Sequence, residues 1–301
     1  MSNAPLPSVA CALSVGAQPE PFLGAMLESI AETIDVLAVN DNSGLSESEN
    51  VRTILGSRIA RSGRLLLTRN PFSGFGDMRN SALLPLRTLH PAPAWILHAD
   101  ADEVHGYQLD RIVRETLPRL PPRIGSVDAY VRSLFGTFDR ATDIGRRVLL
   151  YRLSPETRWV NSVHEKLLGM NGRAIVVPYV FAHYGGVAAL DRYIAKSKRY
   201  EALASDEGLA VPLRSAEDVF AQIAVRAHPF NGPHPSAARA TISAIRLAEA
   251  ERLARIERAI VALQTPKASF ENGVRHTLES VRVLLRFLEH PGLYRATPQA
   301  R

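Results

Sequence analysis

The first hundred residues alternate short apolar runs with amphipathic stretches, and this alternation restricts the chain to a mostly parallel α/β sheet covered on both faces. Val9–Val15 is a buried-strand run, and Pro19 and Pro21 then precede apolar residues at helical spacing, namely Phe22, Leu23, Met26, Leu27 and Ile30. Val36–Val39 predicts a second strand, closed by the turn-forming cluster Asn40-Asp41-Asn42-Ser43-Gly44. A helix over Ser48–Ile59, a strand over Arg64–Thr68, a helix over Asp77–Leu89 and a strand over Trp95–His98 continue the series.

After Asp102 the pattern changes. Ser126–Ser133, Arg147–Arg152 and Ala174–Phe181 read as strands joined by irregular links, and from Val187 onward the chain reads as helix. Leu253, Ile256, Ile260 and Leu263 form one helical stripe, and Val274, Leu278, Val281, Leu285 and Leu288 form another. The run from His228 to Pro235 interrupts them as a hinge or loop. The expected division is a sheet domain over residues 1–205 and a helical region over 206–301.

The strongest chemical signal is Trp95-Ile96-Leu97-His98 running straight into Asp100-Ala101-Asp102-Glu103. Three carboxylates within four residues repel one another and resist burial, a penalty that a bound divalent cation removes. Their hard oxygens suit Mg2+ or Mn2+, which can also coordinate a diphosphate. On an extended chain Asp100 and Asp102 share one side, and the end of a strand is where open α/β sheets bind ligands. The rival is a solvated acidic cap on a helix near Tyr107.

Three weaker signals accompany it. Asp41 ends the second strand, where a carboxylate accepts hydrogen bonds from a ribose or base, or forms an Asx turn. In Gly74 to Asn80, glycines free the backbone to approach a ligand, and Arg79 opens a helix whose amino end favours anions; Arg79 is placed to neutralise Asp100 or a phosphate, or is a surface arginine. His164-Glu165 and His183 follow apolar stretches: a general base and an imidazole for a metal shell, or satisfied core histidines.

In their order and spacing these motifs, over roughly residues 8–205, resemble family-2 glycosyltransferases with the GT-A fold, here of the bacterial lipopolysaccharide-core and cell-wall branch. The resemblance rests on Ser14 to Glu20 before Phe22-Leu23, Val39 to Ser43, Gly74 to Asn80, Asp100 to Glu103, Val163-His164-Glu165, His183-Tyr184-Gly185, and Lys196 with Arg199 and Tyr200. It implies a Rossmann-like mixed sheet flanked by helices, with a C-terminal helical extension. It implies that Asp41 binds the base or ribose, that Asp100 binds the ribose or metal, and that Asp102 is the principal ligand of Mn2+ or Mg2+ with His183 as a third ligand. Ser14, Gly16, Glu20, Arg79, Asn80 and Ala101 would meet the nucleotide-sugar. Glu103, Trp159 and His164 would face the acceptor, and Glu165 would be the base of an inverting displacement, with Glu103 or Asp139 as alternatives. The donor implied is a nucleotide-diphosphate sugar, a UDP-sugar first, and the acceptor a glycan or lipid-linked hydroxyl.

Bulk properties narrow the alternatives. At 301 residues and 46% apolar content the chain can bury a large core, and no run of about 18 apolar residues predicts a membrane span. Met1 to Ser8 lacks a secretory pattern, and the one cysteine, Cys11, has no disulfide partner, so a cytoplasmic protein is expected. From Arg214 onward there are 13 basic and 8 acidic residues, which gives the tail a peripheral contact to offer an anionic membrane face or acidic glycan. Nothing resembles a nucleic-acid platform. A nucleotidylyltransferase would carry a basic Gly-rich loop after the first strand, whereas Ser14–Pro21 holds one glycine and no Lys or Arg. A catalytically inactive GT-A-like scaffold is the other reading.

Overall fold

The computed structural model describes residues 8–163, 165–187, 196, 199–200, 220–221 and 223–264. Its centre is a nine-stranded mixed sheet. β1 (Val9–Val15) lies between β2 (Val36–Asp41) and β4 (Trp95–His98), and β3 (Leu65–Arg69) flanks β2, all four parallel. Next to β4 runs the antiparallel β7 (Arg140–Arg152), then β6 (Ile124–Phe135), then β10 (Arg173–Gly186), which pairs parallel to β6. A two-residue strand, β5 (Glu103–Val104), closes that edge against β10. The α/β class read from the sequence, a mixed sheet flanked by helices, is thus the one the chain adopts, with its parallel strands first and its antiparallel strands after the acidic turn.

The central strands are continuous apolar runs because both faces are covered. Alternate residues of β1 divide between two cores: Val9, Cys11, Leu13 and Val15 pack with helix α1 (Leu23–Ile30), while Ala10 packs on the other face near Leu83 and Leu86 of a later helix, α4 (Phe75–Arg87). α1 buries Leu23, Met26, Leu27 and Ile30, each worth about 1.5–3 kcal/mol of transfer free energy. The single helix expected over Ser48–Ile59 is two, α2 (Glu49–Leu55) and α3 (Arg58–Arg61), because Gly56 ends the first and the Ser57 hydroxyl caps the second by accepting from Ala60 N–H. A short helix, α5 (Gln108–Arg111), follows the acidic turn.

Several short strands have no counterpart in the sequence reading. β8 (Arg158–Val160) and β9 (Lys166–Leu168) form a separate small hairpin lying on α4.

Toward the C-terminus, β11 (His228–Pro229) adds to β7, followed by α6 (Arg239–Ala248) and α7 (Ala250–Leu263). Ile242 of α6 shares a core with Phe22, Phe138 and Tyr184. Ile260 of α7 is buried with Phe135, and the Arg140 guanidinium donates to Glu257 at 2.6 Å. Gly136, at φ +71°, leaves room for Ile256 and Ile260 where a Cβ would come within 2.8 Å of each. The stripe from Val274 to Leu288 lies outside the described residues. No described helix is long and apolar enough to cross a membrane.

Candidate active site

The acidic tetrapeptide is a turn, not an extended strand. Glu103 N–H donates to Asp100 C=O at 3.1 Å, and Asp100 N–H donates to Glu103 Oε2 at 3.0 Å. The turn sends the three carboxylates to different partners, because Glu103 must register with His183 as β5 joins β10. Asp102, mostly buried, places Oδ2 at 3.2 Å from His183 Nε2, and Ser133 Oγ lies 3.3 Å from His183 Nδ1. Burial pushes the Asp102 carboxyl up, but the facing His183 more than offsets this and holds it below the usual range. Burial pulls His183 down, and Asp102 raises it to about 9. Gly185 makes the meeting possible, since a Cβ there would overlap Asp102 Oδ2 and lie 2.9 Å from His183 Nε2.

Asp100 and Glu103 belong to a different set. Arg79 donates Nη1 to Asp100 at 3.0 Å and Nε to Glu165 at 3.0 Å, while Arg147 pairs with Asp100 at 3.6 Å and with Glu103. Burial raises Asp100, but Arg79 and Arg147 together bring it well below the ordinary carboxylate value. For Glu103, fully buried, burial dominates the attraction of Arg147, and its carboxyl rises to about 7. The repulsion that suggested a metal at all three acids is therefore answered at two of them by guanidinium groups.

The helix-end anion site expected at Gly74 to Asn80 is used internally. Phe75 N–H donates to Ser162 C=O at 3.0 Å and Gly76 N–H to Asn161 C=O at 3.1 Å, so the amino end of α4 seats the β8–β9 hairpin. A Cβ on Gly76 would come 2.6 Å from Asn161 O, which is why glycine stands there. Asn80 clamps the same hairpin: its Nδ2 donates to Trp159 C=O and its Oδ1 accepts Trp159 N–H, both at 2.8 Å. Trp159 in turn lies under the Arg79 guanidinium at 5.1 Å and beside His98 at 4.7 Å. Asp41 accepts from Ser43 N–H at 3.0 Å, forming the Asx turn, with Arg69 3.7 Å away. Ser14 donates to Met78 C=O at 3.0 Å. His164 lies outside the described residues.

A cleft of about 750 Å³ opens at the carboxyl end of β1 and β2. Gly16, Gln18 and Glu20 of the first loop, with Asn42 and Ser43, form one wall. Asp102 and Gly185 also line it, and Lys196 and Arg199 add two cations. Burial lowers Lys196, yet Asp102 and its other neighbours raise it above the ordinary lysine value. Glu103, Glu165, Asp100, Arg79, Asn80, Ala101 and Trp159 are not among the lining residues, and Asp139 pairs with Arg246 at 2.7 Å.

Three contributors escaped the sequence reading. Asn50 donates Nδ2 to Gly16 C=O and Gln18 C=O and accepts from Glu20 N–H, fixing the first loop from 30 to 34 residues away. Arg147 sits in a strand with no local sign of its partners. Gly185 was legible only as a glycine after His183-Tyr184.

Asp102 lines the cleft and His183 stands directly behind it, so one carboxylate oxygen and one imidazole nitrogen meet at the cleft's edge. No group of three His, Cys, Asp or Glu able to hold a metal occurs among the described residues. The pair fits a divalent ion whose remaining positions are filled by a diphosphate and water, and does not fit a closed protein cage.

No family model matches the chain, and no curated protein matches it. Solved structures resemble it distantly. A mycobacterial protein is 16% identical with a TM-score of 0.28, over 42% of this chain and 41% of that one. 4-Diphosphocytidyl-2C-methyl-D-erythritol synthase from Anaerococcus prevotii is 10% identical with a TM-score of 0.29, over 71% and 81% of the two chains. Residues 1–349 of S. aureus TarS are 10% identical with a TM-score of 0.36, over 94% and 91%.

Proposed function

We propose that this chain is a glycosyltransferase of the family-2 type, moving a sugar from a nucleotide-diphosphate sugar, a UDP-sugar first, to a hydroxyl of a glycan or lipid-linked acceptor with inversion. The observation that carries the reading is the cleft itself, which Asp102, backed by His183, lines together with Lys196 and Arg199. A nucleoside diphosphate leaving group needs its charge neutralised as the glycosidic bond breaks, and cations already in place cost no reorganisation at that moment. Asp102 and His183 would hold Mn2+ or Mg2+, which supplies Lewis-acid stabilisation to the diphosphate. Glu20, Asn42 and Ser43 line the wall where the nucleoside would lie.

The rival nucleotidylyltransferase would need a basic Gly-rich first loop; this one has no cation and is pinned by Asn50. Isothermal titration with UDP and GDP, with and without Mn2+, tests the proposal. Metal-dependent binding of one nucleotide, weakened at least tenfold by Asp102→Ala, is expected. If neither nucleotide binds and Asp102→Ala changes nothing, the transferase reading fails and the inactive-scaffold reading takes its place.

A further inference from the structure

Among the described residues, three carboxylates line the cleft: Glu20, Asp102 and Glu249. Asp102 is engaged with His183, and Glu20 stands on the first loop, its own N–H held by Asn50. Glu249 arrives from a separate element. It is the residue at which α6 ends and α7 begins, with φ −125° and ψ 26°, so the helix breaks there. Arg252, three residues on, directs both Nε and Nη2 at Glu249 Oε2. Oε1 makes no hydrogen bond among the described residues, and the side chain is 42% exposed. One oxygen is thus oriented by a guanidinium, and the residue lines the cleft.

Ile245, one turn before Glu249, lines the cleft and packs against the buried cluster of Phe22 and Tyr184, whose rings stack on each other at 4.1 Å.

Resting on the transferase reading above, we propose that Glu249 is the base that deprotonates the acceptor, in place of Glu165, which does not line this cleft. In an inverting displacement the base stands across the sugar from the leaving phosphate. Glu249 reaches the cleft from the junction of the C-terminal helices, an element separate from the turn after β4 that carries Asp102. The acceptor O–H proton passes to Glu249 Oε1, and the oxygen forms its bond to the anomeric carbon. The bond from that carbon to the phosphate oxygen breaks, and its electron pair leaves with the nucleoside diphosphate beside Lys196 and Arg199. Arg252 is a positioning residue.

The full chain, UDP-glucose, UDP-galactose and UDP-N-acetylglucosamine, and two nucleophiles test this: water, which must be deprotonated, and azide, which needs no base. Glu249→Ala is expected to lower donor hydrolysis at least 100-fold. UDP binding with Mn2+ should stay within twofold, and added azide should restore donor consumption as glycosyl azide. Hydrolysis by Glu249→Ala within threefold of wild type overturns the base assignment while leaving the transferase reading intact. A variant that binds UDP but consumes no donor with azide overturns it too, because a merely structural role gives that result. If wild type binds no nucleotide diphosphate, the transferase reading falls and takes this inference with it.

Discussion

Asp102 Oδ2 and His183 Nε2 meet at 3.2 Å only because residue 185 has no side chain. A methyl group there would fall on the carboxylate oxygen, and the cheapest relief is rotation of Asp102 away from His183. The Gly185 backbone does not need positive φ, so alanine carries no backbone strain. Gly185→Ala is therefore expected to weaken Mn2+-dependent UDP binding about tenfold, roughly 1.4 kcal/mol, with a melting temperature within a few degrees of wild type. Unchanged affinity in calorimetry would show that the pair does not hold the metal.

Asn80 presents a different case. Both ends of its amide are committed to the Trp159 backbone, which makes it an anchor for the hairpin instead of a nucleotide contact. Asn80→Ala leaves two backbone groups without their partner, at about 2–3 kcal/mol. Asn80→Asp keeps the acceptor and should lose less. Urea unfolding followed by tryptophan fluorescence checks the order, and nucleotide affinity in Asn80→Asp should stay within twofold.

How far the sequence could be read follows from these contacts. β1, β2 and β4 were legible because strands buried on both faces are continuous apolar runs, and α1 because Leu23, Met26, Leu27 and Ile30 keep helical spacing. The β8–β9 hairpin was not, since Arg158–Val160 and Lys166–Leu168 are too short to show a period and owe their position to Asn80 and Gly76 far upstream. Asp102 and His183 each stood out. Their pairing depends on the β5–β10 register, set 80 residues apart. The Arg79–Asp100 pair was one of the readings open for Arg79; Arg147 was not read at all, and with Arg79 it engages Asp100 and Glu103 away from the cleft.

Arg79 joins Asp100 to Glu165, whose side chains are 36% and 11% exposed. Removing the guanidinium leaves a nearly buried carboxylate without its partner. Arg79→Met is expected to cost about 3 kcal/mol, below the upper range for buried pairs because Asp100 is partly hydrated. The double variant Arg79→Met with Glu165→Gln should recover part of that loss. A double-mutant cycle in urea measures it, and strict additivity would mean that the two side chains do not depend on each other.

His105 sets the last expectation, on acid stability. Its ring is buried, with Nδ1 3.1 Å from Tyr179 Oη and Phe181 at 4.9 Å. Burial, with the Arg147 charge nearby, lowers its pKa from 6.5 to about 3. Between those values the unfolded chain takes up a proton that the folded chain refuses, so stability falls as pH drops from 6.5 towards 3 and is unaffected by this group above 7. At pH 5 the contribution is about 2 kcal/mol. Urea unfolding of wild type and His105→Gln at pH 7 and pH 5 checks this. The variant should start less stable, because it loses packing against Phe181, yet lose about 2 kcal/mol less than wild type on acidification. Equal losses in the two proteins would mean that the folded state accepts the proton as readily as the unfolded chain.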